Sequence, residues 1–434
     1  MTRSTFPRSV LPSFRLSVFP SFRLFAGAAM LALVPLPASA QKPACAPDNG
    51  GWKLPAGFCA VLVADNLGSV RHLAVAPNGD VFAARNARQN GPAGGVIVLR
   101  DTTGDGKADV IATFFEGVGG SGIALSSDAV YFAPNDRVLR FPWTPGALAP
   151  SGPADTIAQD LPAGSGHTAK GIVLGKDGAL YVSFGSKTNS CQPGDNDRKG
   201  PFPGANPCTE LEQRAGVWRF DARKAHQRPA DGKRWATGLR NPMSLSLDPT
   251  TGTVYAGVHG RDQLSENWSW PAEEGRENPA ETFYALTGNT DGGWPYCYYD
   301  PRRKQLLQNP EYGGDGTKPG DCGRKDQPVL AFPAHWAPNA TLFYSGDQFP
   351  AEYRGGVFIA FHGSWNRAPA PQEGYRVVFA PFKGGKAVGT FETFAAPAGD
   401  PTSIRPSGLA VGPDGSLYIG ADANGKIWRV LYRP

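Results

Sequence analysis

The stretch "GIVLGKDGALYVSFG" (residues 171–185) decides the fold. Apolar and polar side chains alternate on both sides of Lys176-Asp177-Gly178. That is the pattern of two short antiparallel strands joined by a tight turn with glycine at its positive-φ position. The stretch has relatives: "HLAVAPNGDVFAA" from His72, "GIALSSDAVYFAP" from Gly122, "SLSLDPTTGTVYAGVHG" from Ser244 and "GLAVGPDGSLYIGAD" from Gly408. A degenerate copy with a longer turn, "ATLFYSGDQFPAEYRGGVFIAFHG", covers residues 340–363. Leu73, Ile123, Ile172, Leu245, Leu342 and Leu409 are equivalent anchors in the six copies.

A weaker strand pair follows each hairpin, as in "GGVIVLR" and "AGVWRFD". Four short antiparallel strands make one propeller blade. A blade cannot bury both of its faces alone, so blades stack around an axis until the ring closes. The prediction is an all-β, six-bladed β-propeller with four-stranded antiparallel blades. The early "FCAVLVAD" (residues 58–65) is expected to complete the last blade beside "GKIWRVLY". Gly 55, Pro 41 and an aromatic share of 11% suit many strands joined by tight turns. Residues 187–213 and 265–331 are rich in Gly, Pro and Asn and read as insertions on one rim.

Residues 1–40 read as an export signal and residues 41–434 as the propeller domain. Arg3, Arg8, Arg15 and Arg23 precede and flank an apolar run, and Ala38-Ser39-Ala40 fits a cleavage site. Removing four arginines and no acid takes the net charge from +5 to near +1, so no polyanion-binding face is implied and nucleic acid drops out as a partner. No later run is long and apolar enough to span a membrane. Six cysteines remain, an even number that suits disulfides in an exported chain. Proximity suggests Cys45–Cys59, Cys191–Cys208 and Cys297–Cys322.

In a propeller, the starts of the inner strands converge on one channel mouth. Arg71 and His72, Gly120 and Ser121, His167 and Lys170, Arg240 and Asn241, His335 and Asn339, and Arg405 stand there. Strand ends add His259-Gly260-Arg261-Asp262 and His362. Several fixed cations around one axis call for a compact polyanionic ligand or charged cofactor. His167 beside them is a candidate general base, because nearby positive charge keeps its imidazole neutral.

"GSGHTAKGI", "WATGLRNPMSLSLDP", "GWPYCYYD", "FHGSWNR" and "IRPSGLAVGPDGSLYIGAD" resemble the sorbosone dehydrogenase branch of the soluble quinoprotein sugar dehydrogenases. The resemblance implies an axial pyrroloquinoline quinone (PQQ), a tricarboxylate, held with Ca²⁺. It implies His167 as the base that takes the substrate's hydroxyl proton. Arg240, Asn241, Arg405 and, by position, Arg71 would contact the cofactor, with His362 as a further candidate. Gly260 and Arg261 would offer backbone carbonyls to Ca²⁺, with Asp262 as an added oxygen ligand. The partners implied are a small sugar substrate, an aldose or sorbosone-like aldehyde, and a separate electron acceptor such as a cytochrome, a quinone or a dye. The setting implied is periplasmic or secreted. Two departures stand out: Gly166 precedes the base where the glucose dehydrogenases carry an acid, and their fifth-blade lysine has no counterpart. A Ca²⁺-dependent lactonase or other hydrolase, and a glycan-binding propeller without catalysis, remain alternatives.

"DTTGDGKAD" (residues 101–109) partly matches a Ca²⁺ loop but lacks its final glutamate, so a blade turn is the expectation. Trp294, Tyr296 and Trp365 lie in rim segments where a sugar could stack.

Overall fold

A computed structural model describes residues 43–87, 91–194 and 199–434. The predicted export signal lies outside the described residues. In the opening hairpin, strands Ile172–Leu174 and Ala179–Phe184 pair antiparallel in the register Ile172↔Val182, Val173↔Tyr181 and Leu174↔Leu180. Gly178 takes φ +78° in the turn, and the Asp177 carboxylate accepts the Ala179 N–H at 3.2 Å. The same device recurs: Asn78 accepts from Asp80 N at 3.3 Å, Asp248 from Thr250 N at 2.8 Å and Asp414 from Ser416 N at 3.2 Å. These side-chain caps explain why an Asn or Asp recurs in the turns of the repeat.

Six antiparallel sheets form the blades of a β-propeller. Their inner strands are Ser69–Val75, Gly120–Leu125, Ile172–Leu174, Asn241–Leu247, Pro338–Phe343 and Pro406–Val411, numbered here as blades one to six. All six predicted anchors line one axial cavity, together with His72. Each pair of neighbouring blades shares an apolar layer. Phe82 and Phe132 join blades one and two, and Tyr255 and Phe343 join blades four and five.

The ring closes as predicted. Phe58–Ala64 is the outer strand of blade six, antiparallel to Lys426–Tyr432 with Phe58 opposite Tyr432. A second closure was not foreseen: Trp52–Lys53 adds a fifth strand to blade five, with Trp52 opposite Pro397. Trp52 is 1% exposed and meets Trp428 edge-on at 5.4 Å.

The three predicted disulfides are present, Cys45–Cys59, Cys191–Cys208 and Cys297–Cys322. The two insertions pack on each other: Tyr312 donates to the Ser190 carbonyl at 3.2 Å, and the Cys208 N–H donates to the Tyr296 hydroxyl at 2.9 Å. The second insertion is not continuous. Strand Glu281–Leu286 belongs to blade four and divides it, a six-residue run masked by its Gly- and Pro-rich surroundings. Asp101 and Asp109 spend their carboxylates on backbone N–H groups of their own turn, with Gly104 N and Gly106 N each 2.7 Å from Asp101. That loop is a turn between strands Gly94–Arg100 and Val110–Gly117.

Candidate active site

At the mouth, five of the six inner hairpins slip register where the inner strand begins, at Val70/Leu73, Gly120/Gly122, Asn241/Ser244, Pro338/Ala340 and Pro406/Gly408. A bulge turns a side chain out of the strict alternation of the sheet. Here it lets Arg71 and His72, neighbours in sequence, take separate partners near the axis. The His72 imidazole reaches from blade one to the Asn339 carbonyl of blade five, 2.8 Å away. Burial, then Arg71, pushes its pKa down to about 4.

His167 sits in the loop before the inner strand of blade three. Its main-chain N–H donates to the Ser186 carbonyl at 2.9 Å, and its Nδ1 lies 3.0 Å from the same oxygen and 3.1 Å from Ser186 Oγ. A carbonyl only accepts, so the ring proton is held on Nδ1 and Nε2 keeps its lone pair. Burial, then the charge of Arg240, holds the pKa of His167 well below the ordinary histidine value. The Ser186 N–H in turn donates to the Arg240 carbonyl at 2.7 Å, which fixes blades three and four side by side. Gly185 makes room: a Cβ there would stand 2.5 Å from His167 Cβ and 3.0 Å from Asn241 Oδ1.

Gly166, the departure noted in the sequence, has φ +75°, and a Cβ there would lie 2.2 Å from the Lys187 carbonyl oxygen. The backbone that carries His167 therefore leaves no room for an acid at that position.

Arg240 is 4% exposed. Its Nε and Nη2 donate to the Asn189 carbonyl (3.2 Å) and Oδ1 (2.9 Å), its Nη1 to the Gly260 carbonyl (2.5 Å), and its Nη2 also to Asp262 (3.0 Å). Asp262 accepts at its other oxygen from Asn366 at 2.9 Å. Asn241 begins the inner strand of blade four, opposite His259. Behind this loop Glu281 accepts the Gly260 N–H at 3.0 Å, and burial raises its pKa to about 8.

A second group lies between blades one, five and six. Arg71 donates to Asp422 at 2.7 Å and to Ser121 Oγ at 3.4 Å, and the other Asp422 oxygen accepts from His362 Nε2 at 2.8 Å. Arg405 donates to the His362 and Gly363 carbonyls, each at 3.2 Å, with its guanidinium 5.4 Å over the Tyr375 ring. Burial pushes the Asp422 carboxyl up, but His362 and Arg71 outweigh it and hold the pKa down at about 2.

His167, Arg240, Asn241 and Asp262 thus form one group, and Arg71, His362 and Arg405 another. His259 joins them: its electrostatic partners include Arg240 and Asp262 of the first and His362 of the second. Other predicted residues are placed elsewhere. The Arg261 side chain turns into the insertion, pairing with buried Glu311. Lys170 is fully buried and holds the Pro162 and Thr168 carbonyls at 2.8 and 2.6 Å, so it supports the His167 loop from behind. Burial, then Arg214, lowers its pKa to about 7. His335 is capped by the Gly275 carbonyl at 2.7 Å.

Two of the predicted Ca²⁺ donors, the Gly260 carbonyl and Asp262, already have partners. The Gly260 carbonyl and one Asp262 oxygen face the Arg240 guanidinium, and the other Asp262 oxygen faces Asn366. A guanidinium and a divalent cation repel each other at such distances. Among the described residues no three His, Cys, Asp or Glu side chains gather around a point that could hold a metal. The arrangement gives these donors to a guanidinium, and no step is assigned to calcium. Asp262 and Asp422, the carboxylates of the two groups at the mouth, each pair with an arginine.

Of the three rim aromatics, Trp294 is buried with its indole N–H on the Asn189 carbonyl, and Tyr296 is packed against Tyr312. Trp365 alone is open, at 62% exposure. Asn189, Glu281 and Asp422 were missed by sequence reasoning. A signal existed for Asp422, which follows the second strand of its blade just as His362 does.

A family model described as TrAA12-like matches residues 52–433. A curated "Pyrroloquinoline quinone-dependent pyranose dehydrogenase" of Coprinopsis cinerea is 26% identical over 234 residues, covering 45% of this chain and 31% of that protein. The chain spans less than half the length of the curated relatives it matches. Among solved structures, the holo form of the PQQ domain of Coprinopsis cinerea pyranose dehydrogenase superposes with a TM-score of 0.72 at 18% identity, covering 90% of this chain and 98% of that one. The calcium structure of Trichoderma reesei carbohydrate-active enzyme family AA12 has a TM-score of 0.72 at 17% identity, covering 91% and 99%. At these identities the structural likeness speaks for the propeller.

Proposed function

The chain belongs to the TrAA12-like family, and from that membership and the axial site we propose that it is an exported quinoprotein dehydrogenase. It oxidises a sugar, an aldose or sorbosone-like aldehyde, with PQQ bound at the channel mouth. The names of the Coprinopsis cinerea relatives support the cofactor and the pyranose class. Three disulfides support an oxidising compartment, periplasmic or extracellular. No helix among the described residues is long and apolar enough to cross a membrane.

The residues suit a compact tricarboxylate. Arg71, Arg240 and Arg405 ring the mouth, and the ring nitrogen His259 Nε2 is buried without a partner there. Each arginine now satisfies a carboxylate or a carbonyl, contacts that a ligand carboxylate can share or replace. PQQ, when bound, supplies a two-electron acceptor for hydride. His167 Nε2 accepts the proton of the sugar hydroxyl as that carbon gives up hydride. Its Nδ1 stays on the Ser186 carbonyl, so the ring does not turn as it gains charge. Arg240 and Asn241 would hold the cofactor at the mouth, and a separate electron acceptor would complete the cycle.

The observation that carries this reading is His167, whose proton is fixed on Nδ1 by the Ser186 carbonyl, which leaves Nε2 as the acceptor, with burial and the charge of Arg240 keeping the ring neutral. The test is dye reduction by purified protein reconstituted with PQQ across a panel of aldoses. Activity with one or more sugars supports the reading. No activity and no quinone binding would return the arginines to a structural role.

A further inference from the structure

We propose that His259 Nε2 is a ligand-contacting acceptor of the axial site, taking a hydrogen bond from an N–H or O–H of what binds there. The inference rests on the dehydrogenase reading and adds to it a residue that resemblance does not supply.

His259 ends strand Val254–His259, opposite Asn241 across the hairpin. Its hydrogen-bond partner is the Pro338 carbonyl of blade five. A carbonyl cannot donate, so the nitrogen facing it carries the ring proton. Since Nε2 is the buried atom with no partner, the proton sits on Nδ1 and Nε2 is a bare lone pair. A buried acceptor left without a donor is costly, because it has given up its bond to water. Such an atom calls for a donor, which water or a bound ligand can supply.

The place of the atom says which group. The ring stands opposite Asn241 across the hairpin, and the charges of Arg240, Asp262 and His362, members of both groups of the mouth, act on it. PQQ carboxylates are acceptors and cannot satisfy it. Two donors of the proposed complex can: the pyrrole N–H of the quinone, or a hydroxyl of the sugar. His167 and His259 then present bare Nε2 atoms for different tasks, one taking the reacting proton and the other holding a donor in register.

Two substitutions separate this role from a structural one. His259→Asn keeps a donor near Nδ1, and so the bond to Pro338, while it removes Nε2. His259→Gln loses the Pro338 bond but keeps a polar acceptor near Nε2. The measurements are the dissociation constant for PQQ alone, and then KM and kcat for the best aldose with saturating PQQ. A roughly tenfold weaker affinity for the quinone in the Asn variant, restored by Gln, places the donor on the cofactor. Unchanged quinone affinity with a roughly tenfold higher KM places it on the sugar. Wild-type values in the Asn variant, or equal impairment in both variants, overturn the inference. The ¹⁵N resonance of His259 Nε2 in wild-type protein gives a readout without turnover. It should move from the bare-acceptor position when PQQ, or PQQ with sugar, is added, and no movement also overturns the inference. Failure of the wild type to bind PQQ at all would instead sink the dehydrogenase reading and the inference with it.

Discussion

The carbonyl of Ser186 holds His167 twice, through its main-chain N–H at 2.9 Å and its ring Nδ1 at 3.0 Å. A rotamer change would break one bond while the other persists, so backbone and ring are locked to the same point. The lock sets the tautomer, and the tautomer leaves Nε2 as the only nitrogen able to take a proton. Replacing His167 with Ala is expected to lower kcat by about 10²–10⁴-fold while the PQQ dissociation constant changes little. Steady-state kinetics beside a quinone titration check this, and normal turnover would remove His167 from the role.

The depressed pKa of His167 shapes the pH profile of the same reaction. A base is active when deprotonated, and burial and Arg240 keep this one deprotonated well below the ordinary histidine value. The acid limb of kcat/KM should therefore fall well below pH 6.5. A limb centred at or above that pH would contradict the assignment.

Stability should show the same sign. His72, His259, His335 and His362 all have lowered pKa values, chiefly through burial, with His72 near 4 and His259 near 3. Between those values and about 6.5 the unfolded chain binds protons that the folded one does not. Tm is thus expected to fall as pH drops from about 6.5 towards 4, readable by calorimetry in buffers of matched ionic strength. A flat Tm over that interval would show that these rings are already charged when folded.

The Arg261–Glu311 pair is sealed inside the insertion, with side-chain exposures of 1% and 0%. Removing the arginine strands a carboxylate, so Arg261→Ala should cost about 3–5 kcal/mol. Loss of less than about 1 kcal/mol in denaturant unfolding would mean that water reaches Glu311.

Ring closure depends on Phe58, whose ring meets Phe349 at 4.8 Å and Phe394 at 5.0 Å, both edge-on. Phe58→Ala is expected to destabilise by about 3–5 kcal/mol, measured as a drop in the unfolding midpoint. An unchanged midpoint would show that the closing strand is dispensable.

Much of this was legible in the sequence because repetition multiplies a weak local signal. One hairpin such as residues 171–185 is ambiguous, but six with equivalent anchors fix the ring, its closing strand and the mouth. The disulfide pairs followed from proximity alone. The strand Trp52–Lys53 was not legible, since two residues carry no period. Asn189 was hidden for another reason. It lies in an insertion without a motif, yet it ties Arg240, Asp262 and Trp294 together through main-chain and amide contacts. Lys170 and Arg261 read as channel cations by position, and only packing shows that both turn away. For the expected calcium donors too, sequence could name the carbonyl of Gly260 but not the arginine that faces it.

Titration of the purified protein with PQQ, in chelator and again in added calcium, followed by cofactor absorbance, tests the central claim most directly. The account predicts saturation at one quinone per chain, weakened when Arg71, Arg240 or Arg405 is replaced by Ala. Absence of binding under both conditions would contradict it.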